Sequence, residues 1–182
     1  TPLQEGLYYH WLTSSDAQTY AVQMSFTLEG SFEQKILEES YARLIARHAI
    51  LRTSFTQDFG ERPLQVVRKD VKPVFHYADV SGDADFSIEA YRQADQAKGF
   101  NLNKGSQMRL CVIYRGRNKY EFIWSHHHIL MDGWCLSILT NEFFHVYFSL
   151  TGGTVPSLKK IYPYSGYIKW LNTIEKATSL TY

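Results

Sequence analysis

Several features that would place a chain in a broad class are missing from this sequence. Its 182 residues contain only two cysteines, Cys111 and Cys135, which is too few for the disulfide framework of a small secreted domain. The given residues show no pattern of a signal peptide and no apolar run long enough to span a membrane. The net charge is +1 with no long run of one sign, which argues against a nucleic-acid or anionic membrane surface. We therefore expect a cytoplasmic protein with reduced thiols that binds neither nucleic acid nor membrane.

Two widespread catalytic signatures are also missing. There is no glycine-rich loop of the kind that cradles phosphates, and no Gly-x-Ser-x-Gly elbow of a serine hydrolase. What the chain does have is apolar content: 45% of its residues are hydrophobic and 15% are aromatic. This is enough to bury the core of one compact domain, or of one lobe of a larger domain.

Hydrophobic periodicity predicts alternating strands and helices. Apolar residues at every second position predict strands at residues 19–29, 53–57, 64–67, 74–77, 108–114 and 119–125. Apolar residues at three- and four-residue steps predict helices at residues 2–12, 32–48, 86–99 and 136–150. Because the two types are interleaved, we expect an α/β two-layer sandwich with a mixed sheet and helices packed on one face.

Three consecutive histidines stand where a predicted strand runs into a loop. In a strand, alternate side chains point to opposite faces, so His126 and His128 are expected on one face and His127 on the other. A neutral imidazole with a pKa of about 6.5 suits a group that accepts or relays a proton near neutral pH. Asp132 follows four residues after the last histidine, and Gly133 would permit a turn that a bulkier residue resists.

Two other chemistries remain open for these residues. His126 and His128 could converge on a metal ion with Asp132 as a third ligand, although we favour a site without metal. The thiol of Cys135 lies close enough in sequence to act as a nucleophile, but its apolar neighbours favour packing instead.

The spacing His127-His128-x-x-x-Asp132-Gly133, followed by Trp134, resembles the signature of condensation domains in nonribosomal peptide synthetases, which are related to chloramphenicol acetyltransferase. Further segments resemble other motifs of that family in the same order along the chain, at residues 1–6, 47–55, 100–102 and 163–171. The resemblance extends over essentially all 182 residues.

This resemblance implies an architecture and a reaction. Residues 1–182 would form the amino-terminal lobe of a condensation domain, with one lobe of a chloramphenicol acetyltransferase-like fold and with the carboxyl-terminal lobe absent. The reaction would be amide bond formation, in which the amine of an aminoacyl group on an acceptor carrier attacks an acyl thioester on a donor carrier. No cofactor would bind directly, because the phosphopantetheine arms belong to the partner peptidyl carrier proteins.

The resemblance also assigns roles to single residues. His128, with His127 beside it, would act on the attacking amine, and Gly133 would offer backbone room or an amide near the oxyanion. Asp132 would anchor the loop by pairing with an arginine, for which Arg52 is the first candidate and Arg47 the second. Trp134 would give structural support to the site.

The implied partners and the alternatives follow from the missing lobe. Besides the two carrier proteins, the chain would contact its second lobe and an adjacent adenylation domain, and an exposed lobe interface would allow a homo-oligomer. One alternative is a catalytically inactive lobe that acts only as a docking fragment for a carrier protein or a neighbouring domain. A stand-alone acyltransferase that uses coenzyme A is a further possibility.

Overall fold

The computed structural model describes residues 1–58, 60 and 62–174 as an α/β structure. No helix in this part of the chain has the length and apolarity needed to cross a membrane. The helices are α1 (Pro2–Thr13), α2 (Gln34–Arg47), α3 (Ile88–Ala97), α4 (Gly133–Thr151) and α5 (Tyr164–Thr173), with a 3₁₀ turn at Ala49–Arg52. The strands are β1 (Ala21–Glu29), β2 (Thr53–Thr56), β3 (Leu64–Val67), β4 (Val74–Asp79), β5 (Met108–Tyr114) and β6 (Lys119–His127).

The main sheet is mixed, as the sequence predicts. Its strand order is β1-β6-β5-β4, and β2 and β3 form a separate antiparallel pair. β6 pairs antiparallel with β1 and β5, whereas β4 pairs parallel with β5. A parallel pair needs a crossover connection, and the segment that contains α3 supplies it. The strand that leads to the histidines is therefore a central one, held on both sides.

Both faces of this sheet are covered. Alternate residues of β6, among them Phe122 and Trp124, face the main core, to which α2 and α4 contribute apolar side chains. The intervening Ile123 faces a second, smaller cluster that includes Ile88 and Tyr91 of α3. The expectation that the helices pack on one face is therefore wrong for α3. Its apolar positions cover the opposite face because β4, α3 and β5 form a crossover over that side.

A buried ion pair fastens α3 to the sheet. The Arg109 Nε donates to Asp95 Oδ1 at 2.7 Å, and the Ser125 hydroxyl donates to Asp95 Oδ2 at 2.7 Å. Asp95 is 1% exposed and Arg109 is 9% exposed. Burial alone would raise the pKa of Asp95, but the hydrogen bonds from Arg109 and Ser125 outweigh it and lower that pKa. Ser125, which lies two residues before the end of β6 at His127, is thus held to α3 through Asp95.

Gly99 ends the α3 segment, as predicted, in a conformation that suits glycine. Its φ is +54°, which lies in the left-handed region that other residues rarely adopt. A Cβ atom at this position would also collide with the carbonyl oxygen of Ala17. These two segments can therefore approach so closely only because Gly99 has no side chain.

Candidate active site

The histidines lie where β6 runs into a short loop, as the sequence predicts. β6 ends at His127 and α4 begins at Gly133. The backbone amide of His128 donates to the carbonyl of Tyr20 at 2.9 Å, and the amide of Leu130 donates to the carbonyl of His127 at 3.1 Å. The loop is therefore tied both to the segment before β1 and to the end of its own strand.

The three histidines differ sharply in exposure. His126 is 2% exposed and His127 is 1% exposed, whereas His128 is exposed. The prediction that His126 and His128 share a strand face is wrong, because β6 ends at His127 and His128 belongs to the turn that follows. His128 is consequently the exposed member of the triplet.

Burial determines the charge of the other two rings. It lowers the pKa of His126 to about 4, and the nearby His128 lowers it further. Burial likewise lowers the pKa of His127 to about 4. The Nδ1 of His127 accepts a hydrogen bond from the amide of Ile129 at 3.1 Å, so its neutral ring carries the proton on Nε2. Near pH 7, therefore, both rings are neutral parts of the scaffold.

Asp132 joins the loop to the following helix. Its Oδ1 accepts hydrogen bonds from the amides of Trp134 at 3.1 Å and Cys135 at 3.2 Å, which caps the amino terminus of α4. Hydrogen bonds from the side chain and backbone of Cys135 are the main cause that lowers the pKa of Asp132. The carboxylate is therefore ionised near pH 7 and favoured by the helix dipole.

The predicted pairing of Asp132 with an arginine is wrong for both candidates. The Arg52 Nη1 donates to the carbonyls of Arg68 at 2.5 Å and Lys69 at 3.1 Å. These carbonyls are at hand because β3 runs antiparallel to β2 and ends beside Arg52. Arg47 instead donates through Nε to Glu142 Oε2 at 3.0 Å. Arg52 thus stabilises the β2–β3 pair, and Arg47 links α2 to α4.

The residues after Asp132 also differ from expectation. Gly133 is the first residue of α4 and has no positive φ, so the turn does not depend on glycine there. A Cβ at Gly133 would meet no atom within 4 Å, which leaves open space beside the loop. Trp134 is 84% exposed and so does not support the site by packing.

The two alternative chemistries gain no geometric support. Within residues 1–58, 60 and 62–174, no group of three His, Cys, Asp or Glu side chains could hold a metal ion. Cys135 is half-buried and packs against the main core. Burial raises the pKa of its thiol, which keeps the thiol protonated and weakly nucleophilic.

One contact of the loop was missed by sequence reasoning. The side-chain Nε2 of Gln4, in the first turn of α1, donates to the carbonyl of Ile129 at 3.0 Å. Gln4 lies 125 residues from Ile129, so periodicity could not reveal the contact. The sequence did offer one clue to the importance of Gln4, because this glutamine lies in residues 1–6, which resemble the first motif of condensation domains.

Comparison with known proteins places this geometry in a family. The sequence model of the condensation domain family matches residues 1–181 of this chain. Bacitracin synthase 1 of Bacillus licheniformis is 37% identical over 184 residues, which cover 99% of this chain and 4% of that protein. Gramicidin S synthase 2 of Brevibacillus brevis is 37% identical over 186 residues, which cover 100% of this chain and 4% of that protein.

Solved structures share the fold. The starter condensation domain of rhizomide synthetase superposes with a TM-score of 0.87 at 19% identity, over 94% of this chain and 42% of that one. The first condensation domain of the calcium-dependent antibiotic synthetase, in complex with a substrate analogue, gives a TM-score of 0.79 at 18% identity, over 88% and 39%. The chain thus spans less than half of these solved chains and only 4% of the two curated relatives. The expected chloramphenicol acetyltransferase-like fold is confirmed, and the chain belongs to the condensation domain family of nonribosomal peptide synthetases.

Proposed function

We propose that this chain takes part in amide bond formation during nonribosomal peptide synthesis. The amine of an aminoacyl group on an acceptor carrier attacks the thioester carbonyl of an acyl group on a donor carrier. A C–N bond forms, the C–S bond breaks, and the proton lost by the amine goes to the departing thiolate of the donor phosphopantetheine arm. The observation that carries this proposal is the exposure of His128 within the family signature, beside two buried histidines.

The loop geometry supports a division of roles. His128 accepts a hydrogen bond from the attacking amine, takes up its proton and passes it to the departing thiolate, because its ring is the exposed one of the three. His127, through Nδ1, holds the amide of Ile129 and so shapes the turn. Asp132 keeps the loop on the amino terminus of α4, and the space beside Gly133 admits substrate.

The remainder of the machinery lies outside this chain. In the proposal, residues 1–182 are the amino-terminal lobe, and the carboxyl-terminal lobe, the carrier proteins and an adenylation domain belong to the same synthetase. On α4, Trp134, Ile138 and Phe148 are 84%, 57% and 61% exposed, as expected of side chains that pack against another lobe. When this chain is prepared alone, we expect the same side chains to drive homo-oligomer formation. The two free thiols fit a cytoplasmic location.

The docking-fragment alternative is not favoured, since a fragment that only docks would have no need of an exposed histidine on an anchored loop. A single-turnover assay tests the choice. It measures amide formation between two loaded carrier proteins with this chain alone, with the separately expressed second lobe added, and with His128→Ala in each. The exposed His76 on β4, as His76→Ala, is the matched control.

We expect activity from the two-lobe mixture, and a loss of about 100-fold or more with His128→Ala but not with His76→Ala. Full activity of the His128→Ala mixture would overturn the assignment of His128. No activity in any mixture, with carrier binding retained, would establish the docking fragment. Activity with acyl-coenzyme A in place of the donor carrier would instead identify a stand-alone acyltransferase.

A further inference from the structure

We propose that Gln4 is a positioning residue for the reaction, which helps to set the place of the His128 ring by holding the Ile129 carbonyl of its loop. This inference rests on the proposed function, because it assigns to His128 the contact with the reacting amine. Gln4 itself is 8% exposed and lies in α1, far in sequence from the loop it contacts.

Both ends of the Gln4 amide are used. Its Nε2 donates to the carbonyl of Ile129 at 3.0 Å. Its Oε1 accepts from the hydroxyl of Thr1 at 3.0 Å and from the hydroxyl of Tyr164 at 3.2 Å. A primary amide fits this place because it supplies a donor and an acceptor at once. The side chain thus joins α1, the loop and α5 at one point.

The contact lies where it can control the ring of His128. The His128 amide is held by the carbonyl of Tyr20 at 2.9 Å, and the Ile129 carbonyl is held by Gln4. The peptide that follows the His128 Cα is held through the Ile129 amide by His127 Nδ1 at 3.1 Å, and the Gln4 bond holds the loop one peptide further along. If the Gln4 bond is removed, the ring keeps its chemistry, but its loop loses one of these three bonds that set its position. A displacement of about 1 Å at a reacting group is enough to cost about 100-fold in rate.

Tyr164 makes this arrangement depend on α5. Burial raises the pKa of its hydroxyl, so the hydroxyl keeps its proton and donates to Gln4. A phenylalanine at this position would remove one hydrogen bond and leave the ring in place. We therefore expect Tyr164→Phe to act in the same direction as loss of the Gln4 amide, but more weakly.

The test uses the complete synthetase that carries this chain and compares single-turnover amide formation by variants. Gln4→Met keeps the size of the side chain and removes both hydrogen-bonding groups. Gln93→Met is the matched control, because the exposed side chain of Gln93 bonds Glu89 on the surface of α3, away from the loop. We expect Gln4→Met to lower the maximal rate about 10- to 100-fold, with the half-saturating concentration of each loaded carrier changed less than twofold. Tyr164→Phe should lose about threefold, and Gln93→Met should lose nothing.

A double-variant cycle separates positioning from a general loss of stability. If Gln4 acts through His128, adding Gln4→Met to His128→Ala lowers the remaining rate no further, because the ring to be placed is gone. If the two losses multiply, or if Gln4→Met matches Gln93→Met, the inference is overturned. A His128→Ala synthetase with full activity would overturn the proposed function instead, so the two failures are distinguishable.

Discussion

Replacing Arg109 by methionine should show how strongly the buried ion pair holds the sheet beneath the site. Arg109 donates through Nε to Asp95 Oδ1 at 2.7 Å, through Nη2 to the Asp95 carbonyl at 2.6 Å and through Nη1 to the Gly99 carbonyl at 2.9 Å. Its guanidinium also lies 4.3 Å from the centroid of the Phe100 ring. Arg109→Met removes all of these contacts while it keeps most of the side-chain volume.

The magnitude follows from what is left behind. Asp95 stays buried, at 1% exposed, and keeps hydrogen bonds from the neutral groups of Ser125 and Gln23. Among the described residues, Lys98, with its Nζ 3.8 Å from Asp95 Oδ1, is the remaining cation in an ion pair with it. Removing one partner of a buried pair costs about 3–5 kcal/mol. Because the free energy of unfolding of a domain this size falls by about 2 kcal/mol for each molar of urea, the urea concentration at the unfolding midpoint should fall by about 2 M.

Urea unfolding of the purified chain at pH 7 measures this loss, with Arg43→Met as the control. Arg43 pairs with Glu39 on the exposed surface of α2, where a salt bridge contributes about 0–1 kcal/mol. Because the folded pKa of Asp95 is lowered, the stabilisation is present above the unfolded pKa of about 3.9 and lost as the pH falls through the folded value. The difference in free energy of unfolding between wild type and Arg109→Met should therefore become smaller in acid. A loss at pH 7 no larger than that of Arg43→Met would refute the reasoning.

Three further outcomes are expected. Since burial lowers the pKa of both His126 and His127 from 6.5 to about 4, the unfolded chain binds more protons between these values. Stability should fall as the pH drops through that window, by up to about 3 kcal/mol per ring, which urea midpoints at pH 7 and pH 5 would reveal. Asp132→Ala should lower the free energy of unfolding by about 1 kcal/mol through loss of the α4 cap, and Asp132→Asn should restore most of it. Gly133→Ala should leave thermal stability unchanged or slightly raised, whereas Gly99→Ala should lower it by several degrees or prevent folding, because only the second glycine has a positive φ and a close neighbour.

The elements of the fold were predictable because they depend on local patterns. The aromatic and β-branched run of β6 and the apolar spacing of α4 identify both elements without any knowledge of their neighbours. The side of the sheet on which α3 packs was not predictable in this way. It depends on the parallel pairing of β4 with β5, and the sequence of a strand does not show which other strand it pairs with.

The site divides along the same line. The position of the histidines at the end of a strand follows from their neighbours in sequence, and so does the nearness of Asp132 to α4. The partners of Arg52 and Arg47 do not, because the acceptors are carbonyls and a carboxylate between 16 and 95 residues away. The exposure of His128 could not be predicted, because it depends on whether β6 ends at His127 or one residue later.

The pairing of β1 with β6 also bears on how the chain is synthesised. Glu29 lies opposite Lys119 and Ala21 lies opposite His127, so about ninety further residues must be translated after β1 before its partner strand begins. Contacts so distant in sequence form late and carry a large loop-closure cost. We therefore expect β1 to leave the ribosome as an unpaired strand segment, and the loop that carries His128 to form in the same step that closes the sheet.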